Sequence, residues 1–281
     1  MKINLLFSID DRFTSQMKTT LYSIYANTSH NNHFDVYVLQ KDPLQDSATI
    51  QKFCEKLNMK YFPVIIGDDG LFKKAPISDR YPETIYYRLL AHLYLPKEVS
   101  KILYVDADIL CINDITTLYK IDVKDYLYAA ASHSQLTNMS NVFNKVRLRT
   151  YESEGYFNSG VLLMNLDKIR QMVDPEDIFR FIEENQLNLF LPDQDILNGM
   201  YSDNILAIPD QVFNYDARKY ATYETISMGL WDLDWIFEQC VILHFCGRDK
   251  PWERKYRGRF ASLYKHYWYK TLRLDRTELN H

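Results

Sequence analysis

Ile102-Leu103-Tyr104-Val105-Asp106-Ala107-Asp108 decides how the rest of the chain is read. Its apolar, β-branched first half reads as a buried strand, and the strand ends abruptly in two carboxylates separated by one alanine. Side chains alternate along an extended chain, so Asp106 and Asp108 point to the same side, where their like charges repel unless a cation sits between them. A divalent ion answers that repulsion. Hard cations favour carboxylate oxygen, and a diphosphate can share the same ion. The plainer alternative is turn chemistry at a strand end, because tripeptides of this kind recur by accident.

Before this stretch the chain alternates strand and helix. Residues 3–9 form an apolar run ending at Asp10-Asp11, and a helical pattern over 13–26 follows, with Met17, Leu21, Ile24 and Tyr25 on one face. Residues 34–39 and 61–66 read as strands around a helix at 46–57, an order that implies a parallel sheet with right-handed crossovers. Ligands gather at the carboxyl ends of such strands, where Asp10, Asp11, Asp106 and Asp108 all fall. No glycine-rich phosphate loop follows the first strand, so a metal would have to hold any nucleotide's phosphates. Residues 67–82 read as a loop and 83–95 as a helix stopped by Pro96.

After it, a strand at 127–131 leads into a long Ser/Asn/Thr-rich stretch, 132–154, that reads as a functional lid, an acceptor platform or a mobile surface insertion. Phe157-Asn158-Ser159-Gly160-Val161 is a polar turn feeding a buried strand to Asn165, and its Asn and Ser suit sugar hydroxyls. Helical patterns cover 166–171 and 175–185. Leu191-Pro192-Asp193-Gln194-Asp195 opens another helix, which Asp193 or Asp195 could simply cap. Near the end, Val241 to Trp252 is an apolar strand delivering His244 at its tip, then Gly247, which permits close backbone approach, and Lys250, which can bind phosphate as a point charge.

A chain of 281 residues can bury one large core, and its 47% apolar and 25% charged content is that of an ordinary globular protein. The charge is uneven: 248–276 holds ten Lys/Arg against three Asp/Glu, so this segment carries +7 and the remainder −11 of a net −4. A basic, aromatic end on an acidic body suggests an anionic surface or ligand, and the end reads either as an amphipathic helix touching an anionic membrane or as a packed terminal helix with a solvated basic face. The acidic body and the lack of any recognised motif speak against nucleic acid. Cys54, Cys111, Cys240 and Cys246 are mostly in apolar settings and read as reduced thiols of a cytoplasmic protein. Residues 1–8 turn polar too quickly for a signal peptide, and no run reaches membrane-spanning length.

Four motifs in order carry a resemblance: Phe7-Ser8-Ile9-Asp10-Asp11, Tyr104-Val105-Asp106-Ala107-Asp108, Phe157-Asn158-Ser159-Gly160-Val161, and His244-Phe245-Cys246-Gly247-Arg248-Asp249-Lys250-Pro251-Trp252. Together they resemble family 8 of the glycosyltransferases, the retaining enzymes of the glycogenin and lipopolysaccharide galactosyltransferase type, from the first strand to Trp252. The resemblance implies one α/β nucleotide-sugar-binding domain of the A type, over 1–252, with a mainly parallel central sheet flanked by helices; 253–281 is then a basic, aromatic helical extension. It implies Mn²⁺, or Mg²⁺ in its place, on Asp106, Asp108 and His244. Ser8, Ile9, Asp10 and Phe13 resemble a uridine site, with Ala107 between the metal ligands, Gly247 and Lys250 at the diphosphate, and Arg88 reaching the donor or the Asp-x-Asp. Asn158, Asp193 and Gln194 match positions around the transferred sugar. Phe13, Arg12 and His133 depart from the family pattern, the last where relatives have an acidic residue touching the sugar.

The expected reaction moves galactose or glucose from a UDP-sugar to a hydroxyl of a glycan, glycolipid or glycoprotein, in the cytoplasm, with peripheral contact at the inner face of the membrane as the alternative setting. The ion would neutralise the leaving diphosphate, with Lys250 assisting. Gln194, an amide, is a poor nucleophile, which favours front-face attack with Gln194 stabilising positive charge and Asp193 binding sugar hydroxyls; Asp195 as a transient nucleophile stays open. The rivals are a metal-dependent nucleotide-sugar hydrolase and a nucleotide-sugar-binding protein without turnover.

Overall fold

The computed structural model describes residues 1–68, 82–132 and 155–276. Their strands are β1 (Lys2–Ser8), β2 (His33–Gln40), β3 (Met59–Ile65), β4 (Lys101–Val105), β5 (Ile109–Cys111), β6 (Tyr128–Ser132), β7 (Phe157–Asn165), β8 (Ile205–Ile208), β9 (Tyr215–Asp216) and β10 (Ile242–His244). Seven build one sheet in the order β3-β2-β1-β4-β7-β6-β8, and β5-β10-β9 form a second, smaller one. From β2 onward through β1 and β4 the apolar runs are buried nearly end to end, as parallel strands covered by helices on both faces must be. The expected α/β architecture, a mainly parallel sheet flanked by helices, is the one found.

One strand runs the other way. β7 is antiparallel to both β4 and β6, whereas β6 pairs with β8 in parallel. The reversal matters for the site: the start of β7 lies beside the end of β4, with Val105 opposite Val161 and Asp106 N donating to Gly160 O at 2.8 Å. Residues 157–160, read from sequence as a turn, are already strand.

The second sheet adds the other half of the site. Beyond Asp108 the chain enters β5, which pairs antiparallel with β10 so that His244 lies opposite Ile109. Thr20, on the helix Thr14–Asn27, donates its hydroxyl to the carbonyls of Ala107 and Ile109 and pins the bend between β4 and β5.

The pattern read as a single helix over 83–95 is three short pieces: Thr84–Tyr87, a 3₁₀ turn Arg88–Leu90, and Ala91–Tyr94. The winding tightens where Arg88 is drawn into the protein, with its Nε on Ile85 O and its Nη1 on Ser159 O. Leu95 is extended, as a residue before proline must be. The last helix, Ala261–Arg276, buries Tyr264 and Thr271. It is tied to the body by the Lys18–Asp275 ion pair and by Tyr267, whose hydroxyl accepts from Asn27. No helix among the described residues is long and apolar enough to cross a membrane. Most of the 67–82 loop, nearly all of the 132–154 stretch and His133 lie outside the described residues.

Candidate active site

At the end of β4 the two aspartates and His244 converge. Their ligand atoms all lie within 4.8 Å of one another. His244 Nε2 is 3.2 Å from Asp108 Oδ1 and 3.8 Å from Asp106 Oδ2. Two carboxylates and one imidazole make an oxygen-rich, borderline donor set that fits a divalent cation such as Mn²⁺. The position facing them has to be glycine: a Cβ on Gly160 would overlap His244 Cε1 and come within 2.6 Å of Asp106 Oδ2.

The charges are strongly coupled. Burial alone would raise the Asp108 carboxyl, but His244 and Lys250 override it and hold it well below the usual carboxylate range. Burial likewise opposes a charge on His244, and Cys246 and Asp108 outweigh it, so its pKa is raised well above the ordinary value. Lys250 Nζ bonds Asp108 Oδ2 at 2.5 Å and Phe245 O at 3.0 Å.

A cleft of about 630 Å³ opens from this point across the carboxyl ends of β1 and β4. Ser8, Ile9, Asp10, Phe13, Arg88, Asp106, Ala107, Asp108, Gly247 and Lys250 all line it, joined by Arg12, Arg248 and Trp252. Phe13 meets Trp252 edge to face at 6.3 Å, making an aromatic wall. Ser8 Oγ is committed to Thr84 O at 2.5 Å, and Asp10 is gripped by Arg12, whose Nη2 lies 2.7 Å from Asp10 Oδ2.

Arg88 links the cleft, through Asp106, to the residues expected around a sugar. Arg88, 6% exposed, stacks over the Tyr104 ring at 4.3 Å and reaches Asp106 Oδ1 at 3.0 Å and Asp193 Oδ2 at 3.5 Å. Asp193 accepts from Ser159 Oγ at 2.7 Å; burial raises its pKa more than Arg88 and Ser159 lower it. Gln194 Oε1 accepts from Asn158 Nδ2 at 3.1 Å and Ser159 N at 3.4 Å. Asp195 differs from both. It is fully buried and accepts from Tyr156 Oη and from the backbone amides of Phe190 and Leu191. It therefore ties down the two residues that lead into the helix Pro192–Tyr201, whose N-cap is Leu191 with no side-chain cap, so neither Asp193 nor Asp195 caps the helix.

The glycosyl transferase family 8 model matches residues 4–256, nearly the whole chain. The chain belongs to that family. Among curated relatives, this family 8 chain is 24% identical to general stress protein A of Bacillus subtilis over 94% of its own length and 92% of the relative's. It is 28% identical to a lipopolysaccharide 1,2-glucosyltransferase of Escherichia coli, over 89% and 73% respectively. Its fold superimposes on the galactosyltransferase LgtC, crystallised with donor and acceptor sugar analogs, with a TM-score of 0.77 at 22% identity, over 95% of this chain and 96% of that one. The family membership and the A-type fold expected from the four motifs are thus both found.

Three residues hydrogen-bonded to the candidate site were not singled out from sequence. Tyr104 donates its hydroxyl to Asp106 Oδ1 at 2.6 Å from within the quoted strand, where it reads as one more core aromatic. Asn198 clips the helix Pro192–Tyr201 to β7, accepting from Phe157 N and donating to Phe157 O and Gln194 O. Asn214, 0% exposed, joins His244 to Asn158. A lone asparagine between apolar runs is the common mark of a turn, and nothing local separates it from the many others in this chain.

Proposed function

We propose that this family 8 chain is a Mn²⁺-dependent retaining glycosyltransferase that moves galactose or glucose from a UDP-sugar to a hydroxyl of a glycan, glycolipid or glycoprotein. One observation carries the reading: the Asp106/Asp108/His244 cluster forms the junction between a nucleotide-sized cleft and the Asn158, Asp193 and Gln194 group. Relatives bear on the sugar, since an E. coli relative is named as a glucosyltransferase and a structural neighbour as a galactosyltransferase.

Asp106, Asp108 and His244 would hold the cation, which acts as a Lewis acid on the leaving diphosphate. Lys250, which bonds Asp108 in this structure, would add a second positive charge beside the leaving diphosphate. Phe13 offers a ring face to the base, and Arg88 and Asp193 sit where they can hold sugar hydroxyls. Asn158 and Ser159 orient the Gln194 amide, which would then face the transferred sugar. Asp195 is spent on three hydrogen bonds, which supports front-face attack by the acceptor over a double displacement through that carboxylate.

The exposed side of the last helix carries Lys265, Lys270, Arg273 and Arg276 with Tyr269, and we assign it to contact with an anionic membrane surface on the cytoplasmic side. Reversing these charges should abolish co-sedimentation with anionic vesicles at low salt and leave turnover of soluble donor unchanged.

The deciding experiment is UDP release from a panel of UDP-sugars, with and without a glycan acceptor, in Mn²⁺ or in EDTA. Turnover of one hexose donor that stops in EDTA is the expected result. Undiminished turnover in EDTA would overturn the metal reading, and tight UDP–Mn²⁺ binding without turnover of any donor and acceptor pair would replace an enzyme with a binding protein.

A further inference from the structure

The amides between the metal cluster and the sugar position form one hydrogen-bonded line, and a backbone N–H sets its direction. Gly160 N donates to Asn158 Oδ1 at 2.9 Å, so that atom must be the oxygen. The same oxygen accepts from Asn214 Nδ2 at 2.9 Å. Asn214 therefore turns its Oδ1 to His244 Nδ1, 2.8 Å away, and an amide oxygen only accepts. His244 must carry a proton on Nδ1, so Nε2, the nitrogen facing Asp106 and Asp108, is the one a cation would engage, displacing the proton that Asp108 favours there. At the other end of the line Asn158 Nδ2 donates to Gln194 Oε1.

We propose that Asn214 is a positioning residue that couples cation binding to the sugar-facing amides. Its oxygen holds His244 in the metal-binding tautomer, and its nitrogen holds Asn158, which in turn orients Gln194. Nothing in the fold requires this asparagine to pair with both: it is fully buried between β8 and β9, and a satisfied amide there needs only two partners of any kind. The partners are instead a cation ligand and a sugar-site amide. The proposal rests on the Mn²⁺ reading above, and the experiment separates the two.

Mn²⁺ binding to the full chain is measured by the electron paramagnetic resonance signal of the free ion, alongside UDP release and thermal unfolding. Asn214→Ala should weaken Mn²⁺ binding by about 10- to 100-fold, the usual effect of losing a group that orients a metal-binding histidine. Asn158→Asp keeps an oxygen for Gly160 and Asn214 but removes the donor to Gln194. It should bind Mn²⁺ as well as the wild type and lose at least about tenfold in turnover. A purely structural asparagine would lower the melting temperature without this split between affinity and turnover. Wild-type Mn²⁺ affinity in Asn214→Ala overturns the proposal, as does weakened Mn²⁺ binding in Asn158→Asp. Should Asn214→Ala not fold, Asn214→Asp decides, because it can accept from His244 but cannot donate to Asn158: retained Mn²⁺ binding with lost turnover supports the coupling, and lost Mn²⁺ binding refutes it. A wild type that binds no Mn²⁺ would overturn the metal reading, and the proposal with it, before any variant is compared.

Discussion

At the scale of the residue, the site is a problem in compensating charge. Asp108 is 12% exposed at its side chain and remains ionised because His244 and Lys250 stand against it. Asp108→Asn removes a proposed ligand and a charge together, and turnover should fall by at least about 100-fold with Mn²⁺ affinity falling in parallel, measured by UDP release and free-ion titration. Unaltered affinity would mean the cation sits elsewhere. Far from the cleft, His92 poses the opposite case. Burial first, and Arg170 second, push its pKa down to about 4. An unfolded histidine titrates near 6.5, so between these values the unfolded chain binds more protons and stability falls as the pH drops through that window. Between pH 7 and 4.5 the wild type should lose about 2 kcal/mol more than His92→Gln in urea unfolding. Parallel pH profiles for the two proteins would contradict that.

At the scale of the element, the site depends on a helix fastened to a reversed strand. Asn198 satisfies both the amide and the carbonyl of Phe157 at the mouth of β7, and all three groups are buried. Asn198→Ala leaves a buried donor and acceptor without their partner and should cost about 2–3 kcal/mol in chemical denaturation. A loss below about 0.5 kcal/mol would show that the clip contributes nothing. Short-range pattern found most elements because parallel strands and amphipathic helices announce themselves by period. It missed the break at Arg88, where a long-range pull by Asp106 and Ser159 overrides a good local helical pattern. It also read 157–160 as turn, because Asn-Ser-Gly has turn chemistry and only the pairing with β4 makes it strand.

At the scale of the whole molecule, the last helix is bound to the first through a nearly buried charge. Lys18 is 5% exposed at its side chain and Asp275 26%, with 2.9 Å between them. Asp275→Ala strands that ammonium and should destabilise the protein by about 3 kcal/mol, whereas Lys18→Met with Asp275→Leu should recover most of the loss, both read by thermal unfolding. Failure of the double variant to recover would point to the helix packing rather than the charge. The sequence by itself determined which chemistry the chain carries: carboxylates at strand ends, the order of its motifs and hence its family, because strand-end position and residue type are local properties. Tertiary structure alone decided how those groups meet. Asp106, Asn158, Asp193, Asn214 and His244 are separated by tens of residues in the chain. They become one hydrogen-bonded site only because β7 is reversed against β4 and β10 pairs with β5, and the pairing of strands is settled by long-range packing that no local pattern encodes.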